Sequence, residues 1–155
     1  MKAAADKQSA IAVSPSCSDA LYFRAYASLD LGQIELAEQY IQSAIDMSPL
    51  NAMYLSEMGH IFHLKREWSN ALDIFTKAES AASTFSPPKL KNAELARAKR
   101  GIAYSLIELG RLDEAEAKFK ECLEINNNDS AALKELEYIE SLRNNLPSNH
   151  LPGKT

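Results

Sequence analysis

A chain of 155 residues with 46% apolar and 25% charged residues has the length of one ordinary domain, enough to bury about two thirds of the surface its unfolded form exposes. Five glycines and six prolines exclude low complexity, and a net charge of -4 argues against general nucleic-acid binding, which needs clustered cations facing phosphate.

Residues 8 to 15 read QSAIAVSP, and QSAIDMSP follows 34 places later at 42 to 49, six letters agreeing. Self-similarity at a fixed period marks a repeat architecture. The first complete copy spans 18–51, with Leu21, Ala25, Leu31, Gly32, Leu36, Ala37, Ile41 and Ala44 on two helical stripes. In the second, 52–85, one stripe runs through Leu55, Met58, Gly59 and Phe62. It breaks at Lys65-Arg66-Glu67, and another opens through Trp68, Ala71, Leu72, Phe75 and Ala78. This predicts two amphipathic helices joined by a short turn.

A third copy, 96–129, carries Ile102, Ala103, Leu106, Leu109, Gly110, Leu112, Ala115, Phe119, Cys122 and Leu123. Gly32 and Gly110 end the first helices of their copies with the residue that best tolerates a left-handed cap. Arg66 stands there in the second copy at a cost on the order of 1 kcal/mol, so a turn of different detail is expected. Residues 86–95 are an insertion, with Ser86 expected to cap and Pro87 to open a backward extension of the next helix by two or three turns. Lys89 and Lys91 make that overhang basic.

QSAIDMSP closes the second helix of its copy, so residues 1–17 are expected to form an orphan second helix whose first helix is missing. At the other end, Asp129 or Ser130 can cap a helix over 130–145. It would bury Leu133, Leu136, Ile139 and Leu142 and expose Lys134, Glu135 and Glu137, as terminal helices of repeat arrays do. Residues 146–155 read as a disordered tail.

Gly59, Ala71, Phe75 and Ala78, with Ala37, Ala44 and Pro49 before them and Ala103, Ala115 and Phe119 after, resemble the tetratricopeptide repeat family from about Ser18 to Asp129. The resemblance implies an all-α fold: a right-handed α-α superhelix of three helix pairs, preceded by the half-repeat helix and followed by the capping helix. Arg24 and Ser28 depart from the pattern, standing where it prefers apolar or aromatic residues. Asn127 replaces the terminal proline of the third copy, and the insertion is a third departure.

Catalytic chemistry is not indicated. The chain has no phosphate-binding glycine loop, nucleophile elbow or zinc spacing. Glu57-x-x-His60-x-x-His63 comes nearest to a metal motif but lacks further ligands. Cys122 stands where the repeat puts alanine, which suggests a small buried thiol. Glu114, Glu116, Glu121 and Glu124 alternate with Lys118 and Lys120 as a solvated helix face. A non-enzyme without cofactor or metal is expected. The opening MKAAADKQSAIAVSPSC lacks the unbroken apolar run of a signal peptide, and no stretch approaches the roughly 20 apolar residues that span a bilayer. With only two cysteines, a cytoplasmic address is the expectation.

In the family the first helix of each pair lines a concave groove. Carried onto this sequence, the groove positions are Asp19, Tyr22, Tyr26 and Leu29 from the first copy and Ser56, His60 and His63 from the second. The third supplies Arg97, Arg100, Tyr104 and Glu108. Tyr22 and Tyr26 have an alternative role as core covering the half-repeat. Some family members clamp the terminal carboxylate of heat-shock chaperones with lysines, asparagines and an arginine. Here Tyr22, Tyr26 and Glu57 stand at clamp positions, so that activity is not expected. Arg97 and Arg100 are left to pair with one acidic side chain of a ligand.

The expected function is therefore a protein-protein interaction module holding a partner peptide or helix, as adaptor, scaffold or chaperone. The alternative is a non-catalytic repeat segment of a larger enzyme or regulator. No nucleic acid and no membrane are expected as partners, and a weak homodimer through the N-terminal half-repeat is a further expectation.

Overall fold

The computed structural model describes residues 17–145, which form seven helices and no strand. They are α1 (Cys17–Asp30), α2 (Ile34–Met47), α3 (Ala52–Leu64), α4 (Trp68–Phe85), α5 (Pro88–Glu108), α6 (Leu112–Ile125) and α7 (Ser130–Asn145). The expected half-repeat helix and C-terminal tail lie outside the described residues, except Cys17, which opens α1.

Each helix packs on the next, and α3 also meets α5. The result is three hairpins and a final helix. Apolar burial follows the same path. Tyr22, Ala25, Ile41, Tyr54, Met58 and Ile61 join α1, α2 and α3. Leu55, Ala78, Ala82 and Ala98 tie α3 to α4 and α5, and Phe75, Leu106, Phe119 and Ile139 carry the core through to α7. A core spread along the stack makes each hairpin depend on its neighbours.

Small residues set the spacing. Ala25, Ala37, Ala71, Ala103 and Ala115 are fully buried. At Gly59 and at Gly101 an added Cβ would strike the ring of Phe75 well inside van der Waals contact. Phe75 of α4 is thus wedged between α3 and α5, and neither neighbour can carry even a methyl group without displacing it.

All three hairpin turns share one geometry. Gly32 N–H donates to the Leu29 carbonyl and Gln33 N–H to Ser28; Gly110 and Arg111 repeat this onto Ile107 and Leu106. This is the double bond of a Schellman cap. Arg66 and Glu67 make the same pair onto His63 and Phe62, with Arg66 at φ 60° beside Gly32 at 75° and Gly110 at 78°. The expected difference in the second turn is therefore absent: its two cap bonds hold Arg66 in the left-handed region.

The insertion is absorbed from both sides. Helix α4 runs to Phe85, and α5 begins at Pro88 and has 21 residues against 13 in α3. Contrary to the expectation that Ser86 caps α5 and Pro87 opens it, Pro87 holds the cap position and Pro88 opens the helix, while the Ser86 hydroxyl bonds the Glu94 carboxylate inside the helix. In the first copy, Ser28 is buried but satisfied, its hydroxyl donating to the Arg24 carbonyl at 2.9 Å, while Arg24 stays in solvent. Asn126 shapes the loop that lacks proline, its side chain accepting from Asn128 N–H at 3.1 Å. Asp129 caps α7 by accepting from Ala132 N–H at 3.1 Å. Ala132 and Ile139 are buried there, whereas Leu133, expected on the inner stripe, is exposed.

Candidate functional site

The first helices of the three hairpins share a cavity of about 200 Å³ lined by Tyr26, Leu29, Asp30, Glu57, His60 and Arg97. Helical spacing explains its walls. Leu29 and Asp30 both lie one turn after Tyr26 near the end of α1, Glu57 and His60 stand one turn apart on α3, and Arg97 reaches in from α5. Tyr26 is 53% exposed, so its ring offers a free apolar face.

A buried ion pair forms the floor. The Glu57 side chain is 2% exposed and accepts from Arg97 Nη2 at 2.5 Å. Burial alone would lower the Arg97 pKa, but its hydrogen bond and charge interaction with Glu57, helped by Tyr22, leave it raised. The guanidinium therefore stays charged and spends donors on its own chain. Arg100 behaves similarly, giving Nη1–H to the carboxylate of Asp129 at 3.1 Å. Neither arginine is a lone cation, so an acidic ligand group would meet a pair.

The other groove positions divide by depth. Tyr22 is buried, its ring 5.6 Å from that of Tyr54, and burial followed by the Glu57 charge raises its pKa. Asp19 bonds the Tyr54 hydroxyl. Ser56 is buried at 2% exposure and presents no surface to a ligand. His63 is half-buried, with its ring 5.0 Å from Phe75 and 6.4 Å from Tyr104. Because the Ser105 hydroxyl donates to the Gly101 carbonyl, the Nε2–H of His63 donates to Ser105 Oγ at 2.8 Å. Burial, then the neighbouring His60, lowers its pKa to about 4. Tyr104 packs edge-on against Phe119, and Glu108 is exposed.

Thus the structure gathers Tyr26, Leu29, His60 and Arg97 at one cavity and sets Tyr22, Ser56, His63 and Tyr104 into helix packing. Asp30, given no role by the sequence, and Glu57, read there only as a departure at a clamp position, also line the site. Glu57 had a legible signal, the one carboxylate in the AMYLSEMGHIFHL of α3.

Among the described residues no group of three or more His, Cys, Asp and Glu could hold a metal ion. Glu57, His60 and His63 do not converge, since Glu57 turns to Arg97 and His63 to Ser105. Cys122 is fully buried, its thiol pushed up to about 11 by burial and directed at the Ala96 carbonyl. No described helix is long and apolar enough to cross a membrane.

Several solved structures share this architecture. The first TPR of Spaghetti (RPAP3), bound to the HSP90 peptide SRMEEVD, superposes with a TM-score of 0.71 at 16% identity, over 82% of this chain and 95% of that one. The N-terminal domain of stress-induced protein-1 from C. elegans gives 0.66 at 18% identity, over 79% and 94%. PilF of Pseudomonas aeruginosa gives 0.73 at 18%, over 88% of this chain and 58% of that one. At such identities the likeness concerns the fold, an all-α superhelix of stacked helix pairs. No curated protein sequence matches the chain. Family models described as tetratricopeptide repeat match residues 1–52, 25–87 and 91–129. The repeat period, the glycine-flanked Phe75 and these matches agree, and the chain belongs to the tetratricopeptide repeat family.

Proposed function

We propose that the chain is a non-catalytic interaction module that holds a peptide or helix of a partner protein along the face formed by α1, α3 and α5. Adaptor, scaffold and chaperone roles all use such a groove. The observation that carries this reading is the cavity walled by Tyr26, Leu29 and His60 over the Glu57–Arg97 pair. Exposed aromatic area beside fixed polar groups is what anchors partner segments. Rigidity supports it too: the pair and the Phe75 wedge hold α3 against α5, so little ordering cost is left for binding. The relation of RPAP3 to its HSP90 peptide illustrates the binding mode for this fold. Glu57 at the floor, however, argues against an identical carboxylate clamp. A reducing, cytoplasmic setting suits two free cysteines, one of them buried.

Partner capture by the intact chain, compared with the Tyr26→Ala and His60→Ala variants, tests this. Both side chains are exposed. Each variant should lose about 1 to 2 kcal/mol of binding, several-fold or more in Kd, with an unchanged circular dichroism spectrum. Equal capture by both variants would remove the groove assignment.

A further inference from the structure

The charge along the concave face is lopsided. Asp30 and Glu57 line the cavity, Asp129 lies farther along beside Arg100, Glu135 is near enough to Tyr104 to act on its hydroxyl, and Glu108 is exposed one turn beyond Tyr104 on α5. Arg97 and Arg100 stand among these carboxylates, and both are already bound, to Glu57 and Asp129. Lys99 and Lys118 are engaged elsewhere: they bridge Glu79 and Glu121, tying α5 and α6 to α4.

Within the cavity, Glu57 and Arg97 neutralise each other, and Asp30 makes no ion pair among the described residues. Asp30 is also the last residue of α1, whose final turn holds no basic residue, so the negative end of the helix dipole adds to its carboxylate. Beside it stand the exposed ring of Tyr26 and the half-buried Leu29. An aromatic face attracts a cation, and an apolar wall receives the alkyl stem of a long side chain.

We infer that the groove takes a segment bearing a lysine or arginine, whose cation enters the cavity over Tyr26 and faces Asp30. This rests on the groove reading above and gives it a ligand class. The SRMEEVD peptide bound by the first TPR of RPAP3 is, by contrast, predominantly acidic. The physical reason for a basic ligand here is that the positions able to hold a carboxylate are filled from within by Glu57 and Asp129.

The test uses the full 155-residue chain, immobilised and exposed to a random heptapeptide library, alongside its Tyr26→Ala and Asp30→Asn variants. Peptides retained through Tyr26 should be enriched in Lys or Arg over Asp or Glu at one position by about three- to tenfold at low salt, and less as salt is raised. Asp30→Asn should erase most of that preference while still retaining peptides. Retention that depends on Tyr26 but favours acidic residues, or shows no charge preference, overturns this inference and leaves the groove standing. No retention, or retention indifferent to Tyr26→Ala, overturns the groove reading and this inference with it.

Discussion

Where α2 meets α3 the close contact is made by Ile41; where α4 meets α5, 34 places on, it is made by Phe75. The first junction sets the aliphatic Ile41 in a cluster with Ala25 and Tyr54 and adds hydroxyl contacts. The Tyr54 hydroxyl lies 3.1 Å from Ser18 Oγ and bonds Asp19, and Ser48 Oγ lies 3.5 Å from Ser18 Oγ. The second drives a ring between Gly59 and Gly101 and adds the Glu57–Arg97 pair and the His63–Ser105 bond. One repeat register therefore accommodates two kinds of closure. The first distributes its contacts, while the second depends on one side chain and is less tolerant of change. That intolerance also serves the cavity, because Glu57, His60 and Arg97 are held by the second junction.

Phe75→Ala should have the largest effect, a loss of about 3 to 5 kcal/mol in chemical unfolding. Gly101→Ala should cost about 1 to 3 kcal/mol in the natural background, although alanine is the better helix former. In the Phe75→Ala background the same change should become neutral or stabilising, since the ring it strikes is gone. Simple additivity of the two losses would break the wedge description.

A smaller effect separates the junctions by pH. His63 titrates near 6.5 when unfolded and near 4 when folded. Between those values the unfolded chain binds a proton that the folded chain refuses. This contribution is therefore intact above pH 6.5, falls away as pH drops toward 4, and changes no further below that. Allowing for partial solvent screening, it amounts to about 2 kcal/mol. The equivalent residue of the first hairpin is Leu29, which cannot titrate. Urea midpoints measured across this range should depend less on pH in His63→Gln; an unchanged pH profile would contradict the assignment.

The smallest effect concerns the turns. Two hairpins turn on glycine and the middle one on Arg66 at φ 60°. Arg66→Gly should raise stability by about 0.5 to 1 kcal/mol, visible as a higher Tm, because relief of left-handed strain exceeds the added chain entropy. A lower Tm would mean that the Arg66 side chain contributes more than its strain costs.

The period of 34 made the helix pairs and their register legible, since small residues at Ala37, Gly59, Ala71, Ala103 and Ala115 recur at fixed places. The family resemblance put Tyr26, Leu29 and His60 on the first helices of their pairs, and the three line one cavity. Depth was not legible in the same way. Whether a first-helix position faces the groove or the next hairpin depends on how closely α3 approaches α5, and that approach buries Ser56 and draws His63 onto Phe75. The same approach turned Glu57 and Arg97, 40 residues apart, into partners. Arg66 misled for another reason: its left-handed conformation was expected, but the two cap bonds that hold it there belong to the turn as a whole.

Chemical-shift mapping with a heptapeptide retained from the library tests the central claim most directly. In the isotope-labelled chain, the amides of Tyr26, Leu29, Asp30, His60 and Arg97 should move together along one saturating curve, while those of Lys99 and Lys118 stay still. Shifts confined to α2, α4 or α6, with the cavity residues silent, would contradict the claim that the face built by α1, α3 and α5 is where this protein meets its partner.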